Sequence, residues 1–320
     1  MVAKKSTNGR SLIRAFRILE KIAPGVGAEL LDRAWFRFPP ISEKARRLRV
    51  ELPAAEPFEV PFQGGMLRGQ AWGEGPTVYL VHGWGGWGLQ LAAYIPPLVA
   101  EGFRVVTYDG PSHGASDAGR DGPTRSSLPE LAEAFQAVVA AQGPAYGVVA
   151  HSLGAAATAL ALRSGFAPRR VVFLAAATDF VHTLDMFQTA FGFGPRVRAS
   201  FLRRFTRKFG TMESYRMDLV IDALAEEREL PALLAIHDRA DHETPYQGTL
   251  AAAKVWPGAT VQLTDGLGHH RVLWDKEVVE STRRFLAAGH PYARAGHGPQ
   301  VSGERAAADG AFAVRETMQG

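Results

Sequence analysis

Cysteine is absent from all 320 residues, which excludes disulfides, thiolate metal sites and a cysteine nucleophile together. Long apolar runs are missing too, so no stretch has the composition of a bilayer-spanning helix. The first 25 residues lack the apolar core of a secretory signal, because Arg14, Arg17, Glu20 and Lys21 interrupt it. A cytoplasmic protein is the expectation. Charge of one sign is scarce overall: 36 Lys and Arg against 32 Asp and Glu leave +4, and residues 1–50 alone hold twelve of the bases against four acids. The surplus therefore describes an N-terminal extension and not a nucleic-acid-binding surface, and no nucleic-acid partner is expected.

What is present is enough apolar material, 46% of the chain, to bury a sizeable core. Within residues 1–50, Leu12, Ile13, Phe16, Leu19 and Ile22 recur at helical spacing, with Ser11 as N-cap and Pro24-Gly25 as the stop. A second set, Leu30, Leu31, Ala34, Trp35 and Phe38, ends at Pro39-Pro40. A basic amphipathic helix can lie on an anionic membrane, but the expectation here is that it packs on the body of the protein. Phe58–Phe62 and Met66–Trp72 flank Gln63-Gly64-Gly65 as a hairpin.

From there short apolar runs (Val78–Val81, Arg104–Tyr108, Tyr146–Ala150, Val171–Ala175, Leu233–Ile236, Thr260–Leu263) alternate with helical stretches (Leu89–Ala100, Leu128–Ala141, Ala155–Arg163). That alternation predicts a doubly wound, mostly parallel α/β sheet over residues 51–288, with reactive groups beyond the carboxyl ends of its strands. Between Ala176 and Ala232 lies far more chain than one crossover helix needs, rich in Phe and Met, and it reads as a helical cap inserted at about 178–230. Residues 289–320 carry Gly, Ala, Pro and charge without periodicity, the pattern of a disordered tail.

In this frame VVAHSLG (148–154) is a strand that turns at once into a helix. A serine on so sharp a turn presents its hydroxyl above the sheet, and the next N–H sits at a helix N-terminus where it can stabilise an anion. Small residues are needed two before and two after, and Ala150 and Gly154 supply them around His151, Ser152 and Leu153. This is the elbow G-x-S-x-G with alanine in the first glycine's place, and over residues 56–288 the chain resembles the α/β-hydrolase superfamily of serine hydrolases. Val78–Gly88 (VYLVHGWGGWG) looks like the family's His-Gly segment, His82-Gly83, which implies oxyanion-hole donors at the N–H groups of Trp84 and Leu153. Asp109 to Ser116 is similar to D-x-x-G-H-G-x-S, a turn that is mainly structural in the family, so Asp109, His113 and Ser116 receive no catalytic role.

LLAIHDRADHETPY (233–246) is similar to G-x-x-D-x-x-V-P, which implies Asp241 as the acid; Asp238, in the glycine's place, and Asp179, after the sixth strand, compete with it. Gly266-Leu267-Gly268-His269 implies His269 as general base, with His270 its exposed neighbour. The order Ser152, Asp241, His269 is the family's chain order, and it implies a carboxylic ester hydrolase for apolar substrates acting through an acyl-enzyme, with no metal or cofactor. Thioesterase, C–C hydrolase, amidase and acyltransferase chemistry fit the same residues. Two rivals differ in kind. His237, Asp241 and His242 could ligate a metal, and Arg196, Arg198, Arg203, Arg204, Arg207 and Lys208 in the cap could serve an anionic ligand or membrane in a non-catalytic binding protein.

Overall fold

A computed structural model describes residues 7–41, 43–47, 50–288 and 313–316. Its strands are β1 (Glu56–Phe62), β2 (Gly65–Trp72), β3 (Thr77–Val81), β4 (Arg104–Tyr108), β5 (Ala145–His151), β6 (Arg170–Leu174), β7 (Ala232–Asp238), β8 (Thr260–Thr264) and β9 (Ala313–Glu316). They form one sheet in the order β1-β2-β4-β3-β5-β6-β7-β8-β9, antiparallel at β1-β2-β4 and parallel from β4 onward. This is the doubly wound, mostly parallel arrangement the apolar runs predict. β3 is buried along its whole length and β5 from Tyr146 onward, as a sheet covered on both faces requires. β9 arises from the stretch expected to be without structure; the rest of that stretch lies outside the described residues.

The helices are α1 (Thr7–Ile22), α2 (Pro24–Trp35), α3 (Glu43–Arg46), α4 (Ile95–Ala100), α5 (Leu128–Gln142), α6 (Leu153–Arg163), α7 (Phe180–Phe191), α8 (Pro195–Phe209), α9 (Met217–Glu227), α10 (Tyr246–Lys254), α11 (Gly268–Arg271) and α12 (Lys276–Ala287). None of the described helices is long and apolar enough to cross a membrane. α1 starts four residues before Ser11, so Ser11 is inside the helix and not its cap. Pro24, read as a stop, also begins α2, where its missing N–H costs nothing. The helix expected at Leu89–Ala100 breaks into a 3₁₀ segment, Gly88–Tyr94, and α4.

The helices of residues 180–227 divide between two cores. α9 buries Met217, Val220, Ile221 and Leu224 in the same cluster as the sheet and α6, so it belongs to the α/β body. α7, α8 and the 3₁₀ turn Met212–Tyr215 instead share a core with α1 and α2, built from Phe16, Leu31, Phe36, Leu184, Phe201 and Phe205. Glu20 of α1 fixes that contact by accepting from the N–H groups of Gly194 (3.1 Å), Arg196 (2.8 Å) and Val197 (3.0 Å). A carboxylate there satisfies donors that the first turn of α8 leaves open. The N-terminal helices thus pack as one unit with α7 and α8.

Candidate active site

From β3 the chain crosses to β4 on one side, and β5 pairs on the other, so the topological switch lies at the carboxyl ends of β3 and β5. The loops carrying His82–Gly88 and His151–Leu153 leave from that point. Ser152 has φ 52 and ψ −119, a left-handed conformation that costs a non-glycine residue about 1–3 kcal/mol. The turn is over-determined by its surroundings: Ser152 N–H donates to Leu174 O at 2.9 Å, and its carbonyl accepts from Ala155 and Ala177 at 3.1 Å each. Ala150 is fully buried at its position two before the serine, so the extra methyl is absorbed by the core.

Gly154 is where α6 approaches β3: a Cβ there would sit 2.6 Å from the carbonyl oxygens of both Val81 and His82. Gly83 faces the elbow at similar range, its Cβ position 3.0 Å from Ser152 Cβ. We expect Gly154→Ala to destabilise the fold by about 1–3 kcal/mol, since backbone and not a flexible side chain must yield. Urea unfolding measures it, and an unchanged midpoint would refute the packing argument.

The three residues far apart in sequence meet here. Ser152 Oγ is 3.0 Å from His269 Nε2, and His269 Nδ1 is 2.7 Å from Asp241 Oδ2. Asp241 is enclosed by donors: Oδ1 accepts from the N–H groups of Glu243 (2.8 Å) and Thr244 (3.0 Å), and Oδ2 faces Thr244 Oγ1 (3.0 Å) and His237 Nε2 (3.2 Å). Burial alone would raise its carboxyl, but the hydrogen bonds from His237 and His269 and the charge of His269 outweigh it and hold Asp241 well below the ordinary carboxylate range.

The competing acids have other employment. Asp179 caps α7, accepting from Val181 N–H at 2.8 Å. Asp238 anchors the loop that carries the base, taking Leu267 N–H and Thr264 Oγ1 at 2.8 Å each. Burial pulls Asp238 up, yet the N–H groups of Gly268 and Leu267 and the Thr264 hydroxyl leave its carboxyl below the ordinary range. His237 and Asp241 meet, but among the described residues no group of three His, Cys, Asp or Glu is arranged to hold a metal ion. His237 is instead braced by Thr249 Oγ1 at 2.7 Å and by the Thr244 carbonyl at 2.9 Å. Sequence reasoning passed over His237 and Thr244 as partners of the acid; the hint was a hydroxyl residue where the resembling motif has valine.

His151 lies beside Ser152 in sequence, yet its Nε2 donates to the backbone carbonyl of His269 at 3.0 Å, and its ring packs 4.8 Å from that imidazole. Burial, and next the charge of His269, push the His151 imidazole well below its ordinary value. Its contacts therefore go to His269, backbone and ring, and not to the Ser152 hydroxyl. His270 pairs with Glu243 at 3.1 Å on the exposed side; that hydrogen bond raises His270 and lowers Glu243.

The loop after β3 is tied down from beneath. His82 meets Gly83 O through Nδ1 (2.8 Å) and accepts from Gly110 N–H at Nε2 (2.9 Å), while His113 Nε2 takes Gly85 N–H at 3.2 Å and Asp109 takes Gly88 N–H at 2.7 Å. Among the described residues the N–H groups of Trp84 and Leu153 carry no intramolecular hydrogen bond, and both residues line the same cavity as Ser152. That cavity is about 270 Å³, with His269 and Thr244 on one side and Trp35, Phe180, Phe187 and Phe209 among the apolar walls. Trp35, the last residue of α2, and Phe36, which follows it, bring the N-terminal helices to the cavity wall. Three of the six cations read in the cap are used in packing: Arg198 pairs with Asp185 (2.6 Å), Lys208 with Asp121 (3.0 Å), and Arg196 bonds the carbonyls of Glu20 and Lys21.

Residues 78–309 match the family model of the alpha/beta hydrolase family. A serine hydrolase-like protein from Danio rerio is 33% identical over 103 residues, which cover 32% of this chain and 31% of that protein. Among solved structures, a serine hydrolase from the polyaromatic-hydrocarbon-degrading bacterium Cycloclasticus zankles superposes with a TM-score of 0.56 at 15% identity, covering 74% of this chain and 100% of that one. A meta-cleavage product hydrolase from Pseudomonas fluorescens does so with a TM-score of 0.51 at 20% identity, covering 72% and 96%. The family match spans most of the chain, and the sheet order and elbow agree with it: this chain belongs to the alpha/beta hydrolase family.

Proposed function

We propose that the protein is a serine hydrolase that cleaves carboxylic esters with an apolar acyl group, through an acyl-enzyme on Ser152. The observation that carries the reading is the unbroken relay from Ser152 Oγ through His269 to Asp241, at 3.0 and 2.7 Å, opening on an aromatic cavity. Ser152 Oγ attacks the ester carbonyl carbon as its proton passes to His269 Nε2. The oxyanion is met by the N–H groups of Trp84 and Leu153, donors worth about 3–4 kcal/mol each in such sites. His269 then protonates the departing alcohol. Water attacks the acyl-enzyme with His269 as base, and Asp241 keeps the imidazole proton on Nδ1 and stabilises the imidazolium throughout. The distant likeness to a C–C bond hydrolase speaks for the fold; the choice of an ester rests on the cavity, which offers apolar walls beside Ser152 and little to recognise a polar acyl group.

A series of p-nitrophenyl esters from acetate to laurate tests this. A cavity of about 270 Å³ is small for a ligand pocket. We expect kcat/KM to rise about fourfold per added methylene as the cavity fills and to level off before laurate. A fluorophosphonate should label Ser152. A preference that is flat or falls from acetate would overturn the apolar-acyl reading, and no labelling would overturn the serine mechanism.

A further inference from the structure

α1 and α2 bury one side against the cap and leave the other in solvent, and that outer side is unlike the rest of the surface. Of the seven large apolar side chains exposed among the described residues, five lie here: Leu12, Ile18 (50% exposed), Ile22 (75%), Val26 (51%) and Leu30. Ile18 and Ile22 lie one turn apart at the end of α1, and Val26 and Leu30 one turn apart in α2, so an exposed apolar string runs up to and away from the Ala23-Pro24 turn. At 3.6 residues per turn, Arg10, Arg14, Arg17 and Lys21 occupy the flank of α1 next to Ile18 and Ile22. All four are exposed, and among the described residues none has an acidic partner. The single acid of α1, Glu20, is turned inward to hold the start of α8.

We infer that this outer face docks on an anionic lipid surface. An apolar string with a stripe of cations along its flank is the pattern of a helix lying in a membrane interface, where the apolar side chains enter the headgroup boundary and the cations meet lipid phosphates and carboxylates. The cations select this occupant over a second copy of the chain, which would set like charges against each other across a two-fold contact. Packing on the body and contact with a membrane are not rivals here, because they use opposite sides of the same helices. The hairpin also ends in Trp35 and Phe36, so one element carries the lipid-facing surface outside and a wall of the cavity inside.

Sedimentation of the full chain with phosphatidylcholine vesicles, with and without phosphatidylserine, tests the inference by partition alone and is independent of any hydrolytic activity. The protein should bind the anionic vesicles, bind the neutral ones far less, and lose binding as salt rises. Each cation near such a surface is worth about fivefold in affinity, so Arg14→Ser/Arg17→Ser should weaken binding about twenty-fivefold. Ile18→Asp/Ile22→Asp should abolish it, both variants keeping the parent's circular dichroism and thermal midpoint. Absent or equal binding to the two vesicle types, or variants that bind like the parent, would overturn the inference. So would a parent dimer that Ile18→Asp/Ile22→Asp converts to monomer, which would give the face to a second copy.

Discussion

Replacing Ser152 with alanine should lower turnover of the best p-nitrophenyl ester about a millionfold, leaving only the roughly thousandfold advantage over water that binding and the oxyanion donors supply, because residues acting as one nucleophilic unit fail together when the nucleophile goes. The fold should be untouched. The bonds that hold the elbow are made by backbone groups, Ser152 N–H to Leu174 and its carbonyl to Ala155 and Ala177, and alanine keeps all three. His269→Ala should cost about as much, and the double variant little more than either. Asp241→Asn should differ from both. Oδ2 faces three donors, His269 Nδ1, His237 Nε2 and Thr244 Oγ1, and Oδ1 faces two backbone N–H groups. Whichever way the amide turns, its NH₂ opposes donors, so the variant should lose about ten-thousandfold in turnover and about 1–3 kcal/mol in stability. Parent activity that survives in Ser152→Ala would remove the proposed mechanism altogether.

The parts of this site that were legible in the sequence are those set by local geometry. An apolar strand ending in two polar residues and a glycine specifies a sharp strand-to-helix turn, and the structure places Ser152 on it with positive φ. The strands were readable because each is a continuous apolar run, and the register Val81↔Ala150 then puts the loops after β3 and β5 side by side. Illegible were contacts whose partners are distant and whose residue types are ambiguous. His151 looks like a neighbour of the nucleophile but serves the backbone of a residue 118 positions away. His237 has the composition of a metal ligand but braces an acid four residues on. The N-terminal helices look like an appendage because a helix with one apolar side does not name what that side packs against. Trp35 and Phe36 reach the cavity only because α8 is laid along α2, and the hydrogen bonds from the N–H groups of Gly194 and Val197 to Glu20 that help fix this appear in no periodicity.

Acid should unfold this protein early, and the cause is its buried histidines. Burial holds His82 and His151 below the ordinary imidazole value and takes His113 down to about 3. In the unfolded chain all three titrate near 6.5. The sign follows: below about pH 6.5 the unfolded state takes up protons that the native state refuses, so stability present above that pH is lost as pH falls, until each native ring titrates. His113, taken down to about 3, costs about 1.4 kcal/mol of stability per pH unit over this range, and His82 and His151 add to the loss in the same direction, a sizeable part of a typical folding free energy of about 5–15 kcal/mol. Asp241 acts in the same direction lower down, since its native carboxyl is held far below the unfolded value. Urea unfolding from pH 7.5 to 5 should therefore show stability falling, with a limiting slope of more than one proton. His113→Gln, which replaces a titrating ring by an amide that can still accept from Gly85 N–H, should reduce that slope by about one proton while costing some stability at pH 7.5. A stability that stays level down to pH 5 would mean that these rings can be protonated in place, and that His82 and His113 do not hold the loop after β3 rigidly.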